Sequence, residues 1–122
     1  MKRDMELMRK ILFYIEENYD ARIGRVKHIN YVDDIDKHII LEHVILLEEA
    51  GLIRKIDRHE KGTYSAGNLT NKGYEYLELI RKDDVWKRTN EEVEKKSLPN
   101  TIENIAIIAA SITGAFLREF TK

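Results

Sequence analysis

The sequence of 122 residues contains no cysteine. This absence excludes a disulfide framework, a thiol nucleophile and a zinc site built on thiolates. It is typical of proteins that work in a reducing compartment. We therefore expect a cytoplasmic protein, and we set aside the redox functions that depend on paired thiols.

Long apolar runs and an excess of one charge are also absent. A long uncharged stretch, residues 105–117, is interrupted by polar residues and glycine. A membrane-spanning helix needs about 20 apolar residues, so we expect no membrane segment, and residues 1–10 hold no signal-peptide core. Lysine and arginine total 21 against 22 aspartate and glutamate residues, so no global positive field attracts nucleic acid or anionic lipid. Any basic binding surface must be local.

Signatures of catalysis and of metal binding are missing as well. The four histidines lack the spacing of metal ligands, since His38 and His43 fall on different faces of a predicted helix. The six glycines are scattered and form no phosphate-binding loop, and the serines lack a nucleophile motif. We therefore predict a protein that is not an enzyme and holds no cofactor and no metal. In this reading His43 is a hydrogen-bonded core residue.

Apolar spacing predicts two long helices in the first half of the chain. On the first helix, the residues that share one face at a period of 3.6 are Met5, Met8, Ile11, Leu12, Ile15 and Tyr19. The second helix begins beside Asp33, Asp34 and Asp36, whose carboxylates can cap free N–H groups, and Gly51 is its predicted left-handed terminator. Its predicted core face consists of Ile39, Ile40, Val44, Leu46 and Leu47, with His43 among them.

Shorter elements are predicted between and after these helices. Residues 22–30 mix apolar with basic residues and indicate a short edge strand. Residues 52–58 and 68–70 indicate the two strands of a hairpin with a glycine-containing tip. Thr70 then caps a third helix that ends at residue 81, and the charged residues 83–96 prolong it irregularly. A last helix begins near Pro99, because proline suits a first helical turn.

Particular strings resemble known proteins. Residues 42–53 resemble the end of the recognition helix in bacterial winged-helix regulators, where an apolar helix stops at a glycine and leads into the wing. Residues 69–77 are similar to the Leu-Thr-x-x-Gly start of the helix that follows the wing. Residues 1–5 and 81–86 resemble a family of short proteins of unknown function from low-GC Gram-positive bacteria and their phages. The resemblance implies a winged-helix fold and a phage or mobile-element setting, but no activity.

From this resemblance and the order of elements we predict an α+β fold. It consists of a winged-helix domain over residues 1–97 and a C-terminal apolar helix over residues 98–122, for oligomerisation or docking. The helix-turn-helix is degenerate, because residues 20–32 lack the helical period of the helix that precedes a recognition helix. DNA binding therefore does not follow from the fold itself.

Charge favours the hairpin over the second helix for contact with nucleic acid. Residues 31–53 contain one basic and six acidic residues, which repel phosphate. The hairpin offers basic and aromatic side chains that can follow the backbone of double-stranded DNA. These candidate residues are Arg54, Lys55, Arg58, His59, Lys61 and Tyr64. The alternative is a charged edge that prevents aggregation between strands.

Apolar residues on two helices predict a protein interface. Leu41 and Ile45 lie one turn apart on the charged side of the second helix, where a protein partner or another segment of the chain covers them. The last helix is apolar nearly all round, which favours a homodimer, with docking inside the chain as the alternative. Its candidate interface residues are Ile105, Ala109, Ile112 and Phe116.

Two hypotheses on function follow. The first is a small regulator, associated with a phage or mobile element, that binds nucleic acid through the wing and dimerises through the last helix. The second is a protein–protein adaptor or inhibitor that never contacts DNA. Contact with DNA discriminates between them, because a complex held by phosphate contacts weakens steeply with salt.

Overall fold

The structure is a computed structural model that describes residues 1–29, 32–58 and 64–114. In these ranges the chain forms five α-helices. They are α1 (Met5–Asn18), α2 (Lys37–Glu49), α3 (Asn71–Ile80), α4 (Asp83–Lys95) and α5 (Ile102–Thr113). Three of the predicted site residues, His59, Lys61 and Phe116, lie outside the described ranges.

The chain divides into two compact units, Met1–Tyr74 and Glu75–Lys122. In the first unit α1 packs against α2, and in the second unit α4 packs against α5. Helix α3 begins in the first unit and ends in the second. The expected division of the chain at residue 97 stays a prediction.

The predicted α+β winged-helix fold is wrong. The regular elements among the described residues are all helices, and these residues contain no strand. In their place these residues hold three isolated antiparallel bridges, which join Asp20 to Arg25, Val26 to Ala66 and Ile53 to Leu69. The predicted edge strand and the predicted two-stranded wing are therefore both corrected to irregular chain.

A side chain interrupts the backbone pairing where the wing was expected. Arg54 N–H donates to the Asn68 carbonyl at 2.8 Å, as a hairpin requires. Two residues later, Ile56 N–H donates to the Glu48 carboxylate at 3.4 Å, so this donor is turned away from the opposite segment. A strand needs successive backbone partners on its neighbour. The pairing therefore stops at a single bridge.

Helix α1 confirms the predicted amphipathic pattern. It begins after Asp4, whose side chain accepts a hydrogen bond from Leu7 N–H at 3.1 Å. The residues of its buried face are Met5, Leu7, Met8, Ile11, Leu12 and Ile15. Removing such aliphatic side chains from water stabilises the fold by roughly 1.5–3 kcal/mol each. Tyr19, at the C-cap, is half-buried.

The two ends of α2 follow the predicted capping. Asp36 accepts a hydrogen bond from His38 N–H at 2.8 Å. At the other end Gly51 adopts a φ of 78°, and its N–H donates to the Glu48 carbonyl at 3.0 Å. The next N–H, from Leu52, closes the last turn of the helix. The left-handed terminator at Gly51 is therefore confirmed.

The core face of α2 is narrower than predicted. The buried residues are Ile40, His43, Val44 and Leu47, whereas Ile39 is 40% exposed and Leu46 is half-buried. The prediction that Ile39 lies in the core is wrong. The buried set has the i, i+3, i+4, i+7 spacing of a single helix face, which is the width that packing against α1 covers.

His43 is the hydrogen-bonded core histidine that the sequence predicted. Its ring is fully buried, and Nε2 accepts a hydrogen bond from Asp4 N–H at 2.9 Å. Nδ1 lies 2.8 Å from the Ile39 carbonyl, which assigns the proton of the neutral ring to Nδ1. His43 thereby ties the start of α1 to α2.

A threonine connects the end of α2 to the start of α3. The Thr70 hydroxyl donates to the Gly51 carbonyl at 2.5 Å and accepts from Gly73 N–H at 3.0 Å. Gly73 is required here, since a Cβ at this position would overlap the Leu52 carbonyl oxygen. The predicted cap at Thr70 is confirmed.

The charged segment after α3 differs from the prediction. Helix α3 ends at Ile80, and residues 83–95 form the separate helix α4 rather than an irregular prolongation. Helix α5 begins after Thr101, whose side chain accepts from Asn104 N–H at 3.1 Å, so Pro99 lies before the helix rather than in its first turn. Within the described part of the chain, no helix has both the length and the apolar character needed to cross a membrane.

Candidate functional site

Backbone hydrogen bonds join three irregular stretches of the first unit, which we call the bridged segments. The bridged segments are residues 20–29, 53–58 and 64–69. Val26 and Ala66 exchange two hydrogen bonds of 2.8 and 2.9 Å. Arg54 N–H donates to Asn68 at 2.8 Å. Residues 64–69 are therefore linked to both of the other stretches.

The bridged segments carry more basic than acidic residues. Their basic residues are Arg22, Arg25, Lys27, Arg54, Lys55 and Arg58, and their acidic residues are Asp20 and Asp57. The Arg22 guanidinium donates to the Asp20 carboxylate at 3.2 Å, and this hydrogen bond lowers the pKa of Asp20. Lys27, Arg54 and Lys55 are exposed. Residues 20–29 and residues 53–58 both carry exposed cationic groups. The bridges join each of these two stretches to residues 64–69.

Tyr64 connects the bridged segments to the start of α2. The Lys37 ammonium lies 5.2 Å from the centroid of the Tyr64 ring. The His38 ring stands edge-on to Tyr64, with a centroid separation of 6.0 Å. The Tyr64 carbonyl also accepts a hydrogen bond from Ile29 N–H at 2.9 Å. We call Lys37, His38 and Tyr64 the Tyr64 cluster, a half-buried aromatic ring beside a lysine and a histidine.

Arg58, one of the predicted phosphate contacts, is paired with Glu48. Its guanidinium donates to the two carboxylate oxygens at 2.9 and 3.0 Å, and to the Ser65 carbonyl at 2.9 Å. The side chains of Arg58 and Glu48 are only 15% and 5% exposed. A bidentate pair with this burial holds the guanidinium in place and balances its charge. Arg58 therefore fastens a bridged segment to α2.

The start of α2 is acidic. Asp33 accepts a hydrogen bond from Lys10 Nζ at 3.0 Å, which lowers the pKa of Asp33 and raises the pKa of Lys10. Asp33 also accepts from Asp34 N–H at 2.8 Å. Of the three aspartates predicted to cap the helix, Asp36 makes the capping bond to His38. These carboxylates oppose the approach of phosphate to the N-terminus of α2.

Another surface, on α2, carries aliphatic side chains next to carboxylates. Ile39 is exposed, and the predicted interface residues Leu41 and Ile45 are both half-buried. Glu42 and Glu49 on the same helix are exposed. This surface combines apolar area with negative charge, which suits a protein partner better than nucleic acid.

The predicted interface residues on α5 lie at different depths. Ile105 and Ala109 are fully buried within the chain, whereas Ile112 is half-buried. Ile107, which the sequence did not single out, is 62% exposed. A cleft of about 360 Å³ in the second unit is lined by Arg88, Glu91, Glu92, Lys96, Ile108, Ser111 and Ile112. Its charged side chains come from α4 and its aliphatic ones from α5.

Two features of the site were not predicted from the sequence. One is the pairing of Glu48 with Arg58, and the other is the contact of Lys37 with Tyr64. Neither pair has a helical or strand spacing, so no periodic pattern indicates it. Among the described residues, no group of three or more His, Asp or Glu is placed to hold a metal ion.

The described residues therefore define a helical protein whose irregular segments present exposed basic side chains. The chain belongs to the DUF2513 family, described as "Hypothetical protein", whose model matches residues 2–99. It is similar to an "Uncharacterized protein" of Haemophilus influenzae, with 34% identity over 119 residues that cover 96% of this chain and 99% of the relative. No solved structure matches significantly. The membership confirms a family of unknown function, whereas the Gram-positive and phage setting stays a prediction.

Proposed function

We propose that the chain is a non-enzymatic module that binds nucleic acid through the bridged segments and the Tyr64 cluster. One observation carries this proposal: backbone bridges bring the exposed Lys27, Arg54 and Lys55 to the segment that holds Tyr64. Basic side chains, which contact phosphates, and an aromatic side chain, on which bases stack, thus lie in the same unit.

Local charge explains how a protein with a net charge of −1 can bind a polyanion. Affinity for nucleic acid comes mainly from neutralised phosphates and released counterions, so a few exposed lysines and arginines suffice for a weak complex. On α2, the exposed Glu42 and Glu49 repel phosphate, whereas Lys37, in the first turn, belongs to the Tyr64 cluster and attracts it. The contact surface is therefore confined to the bridged segments and the Tyr64 cluster.

The biological setting is part of the same proposal. We assign the module a regulatory role in the cytoplasm, connected with a phage or mobile element. This setting is supported by the resemblance of residues 1–5 and 81–86 to short proteins of low-GC Gram-positive bacteria and their phages, and by the absence of cysteine. The binding reaction itself requires no cofactor.

Fluorescence anisotropy with labelled mixed-sequence nucleic acid, single-stranded and duplex, tests the proposal at two salt concentrations. The wild type should bind at micromolar protein or below, and more weakly at the higher salt. The double variant Arg54→Glu, Lys55→Glu should bind at least about tenfold more weakly, because four units of charge change at the contact surface.

A matched control comes from α4. Lys87 and Arg88 are also adjacent, basic and exposed, so Lys87→Glu, Arg88→Glu makes the same change of charge on a helix of the second unit. This control should bind like the wild type. No binding by the wild type at low salt, or an equal loss in both double variants, would contradict the proposal.

A second candidate function, a protein–protein adaptor or inhibitor, is favoured by one observation on α2. Ile39 is 40% exposed, and Leu41 and Ile45 on the same helix are half-buried. Aliphatic residues in this state gain free energy when a partner removes them from water. In this function the exposed Glu42 and Glu49 select a partner with basic residues at the rim of its interface.

Site-specific crosslinking tests the second function. A photoreactive amino acid at position 39 should give a discrete crosslinked product in cells. The same amino acid in place of Glu17, an exposed residue of α1, serves as the control and should give none. Indistinguishable products at the two positions would count against an interface on α2.

A further inference from the structure

We propose that the nucleic acid bound by this protein is a single strand, and that one of its bases stacks on the Tyr64 ring. The inference rests on the proposed function and names its ligand class. It is carried by the Tyr64 cluster and by the distribution of charge around α2, the helix that supplies Lys37 and His38 to that cluster.

The distribution of charge opposes recognition of a duplex. Proteins that read duplex DNA usually insert a helix or a two-stranded ribbon into the major groove. Helix α2 is preceded by Asp33, Asp34 and Asp36, and Glu42 lies on its exposed side. The bridged segments offer no ribbon within the described residues, because each of their pairings is an isolated bridge. Neither element suits a groove lined by phosphates.

The Tyr64 cluster suits an unpaired base. Surfaces that bind single strands combine aromatic platforms with basic groups that follow the backbone, since every base has a face that can stack. The backbone of Tyr64 is fixed by the hydrogen bond from Ile29 N–H to its carbonyl, and its ring contacts the Lys37 ammonium, 5.2 Å from the ring centroid, and the edge-on His38 ring. Holding the ring before binding lowers the entropy cost of stacking.

In this proposal Lys37 and Lys27 contact the phosphates of the stacked nucleotide. Lys37 stands beside the ring itself. Lys27 lies next to Val26, which is bridged to Ala66, two residues after Tyr64. Single strands are flexible enough to follow such irregularly spaced charges, whereas a duplex presents its phosphates on a fixed helical track. The arrangement therefore favours the single strand.

Anisotropy titrations at one low salt concentration test this inference. The probes are a labelled DNA strand of mixed sequence, the RNA strand of the same sequence, and a hairpin duplex containing that DNA sequence. The wild type should bind a single strand at least about tenfold more tightly than the duplex. Comparing the two single strands shows whether the protein binds DNA or RNA more tightly. Tight binding of either strand supports the proposal.

Three variants assign the preference to the cluster. Tyr64→Leu should weaken single-strand binding by about tenfold, while Tyr64→Phe retains it because the ring remains. Lys37→Gln, a change at an exposed residue that need not disturb folding, should lower the salt dependence by roughly one phosphate contact. Circular dichroism of each variant verifies the helical content.

The outcomes separate this inference from the proposed function. Equal or tighter binding of the duplex, with Tyr64→Leu and Lys37→Gln unchanged and Arg54→Glu, Lys55→Glu defective, would overturn the single-strand proposal and leave nucleic-acid binding intact. Absence of binding to all three probes would overturn both.

Discussion

Ser97 adopts a backbone conformation that favours glycine, with a φ of 54° at the position after the C-cap of α4. Its N–H donates to the Glu94 carbonyl, and Leu98 N–H donates to the Val93 carbonyl, both at 3.0 Å. These bonds satisfy carbonyls that the end of a helix otherwise leaves without partners. A residue with a Cβ reaches this conformation at a cost of roughly 1–2 kcal/mol.

We therefore expect Ser97→Gly to stabilise the protein by about 0.5–1 kcal/mol, measured as the free energy of unfolding in urea. The matched control is Ser111→Gly, at an exposed position in the last turn of α5. The same exchange there should destabilise the protein by about 0.5 kcal/mol, because glycine is a poor helix former. A Ser97→Gly protein that is less stable than the wild type would contradict this account.

Individual residues with a local role were predictable from the sequence. Gly51 ends α2 with a positive φ, and Thr70 caps α3. His43 is buried and hydrogen-bonded. Each role depends on neighbours within a few residues or on one helix face. Ser97 gave no comparable signal, because serine rarely occupies the left-handed region.

At the scale of elements, the pairing of Glu48 with Arg58 decides how residues 53–58 lie against α2. The pair is buried and bidentate, and Glu48 also accepts a hydrogen bond from Ile56 N–H. Removing one member of such a pair leaves a buried charge without compensation. Replacing both members by apolar residues avoids that penalty.

Arg58→Met should therefore destabilise the protein by about 3 kcal/mol, and Glu48→Leu by a similar amount. The double variant Glu48→Leu, Arg58→Met should recover most of this loss, to within about 1 kcal/mol of the wild type. Urea unfolding of the four proteins provides the double-mutant cycle. Additive losses in the double variant would show that the two side chains do not act as a pair.

Helices were predicted better than the chain between them. Apolar spacing located α1 and α2, because each buries one regular face. The predicted wing failed because the Glu48 carboxylate takes up the Ile56 backbone donor that a strand would use. The break between α3 and α4 was missed because it lies in a run of charged residues, with no glycine or proline to mark the end of a helix. Contacts across the chain decided these outcomes.

At the scale of the whole molecule, the predicted nucleic-acid contacts differ in their exposure. Arg54 and Lys55 were predicted as nucleic-acid contacts and are exposed, whereas Arg58 is buried against Glu48. Sequence composition could indicate the basic stretches, but the link between Lys37 and Tyr64 arises only from folding. Half of the candidate surface could therefore be predicted from the sequence.

The oligomeric state is the remaining prediction at this scale. We expect a homodimer, with a mass twice the 14.4 kDa of one chain in light scattering. Since Ile105 and Ala109 are buried within the chain, the contact must use Ile107 and the half-buried Ile112. Ile107→Asp should give monomers with unchanged helical content, because Ile107 is 62% exposed. A monomeric wild type would refute the dimer.

The buried Glu48–Arg58 pair also has a consequence for descent within the family. A relative that lost one of these charges would keep the other charge buried without compensation. Its stability would stay lower until a second substitution removed that charge. Positions 48 and 58 should therefore covary among relatives, either retained as opposite charges or replaced together by apolar residues. The exposed positions 54 and 55 make no comparable buried ion pair among the described residues, so they should vary independently of positions 48 and 58.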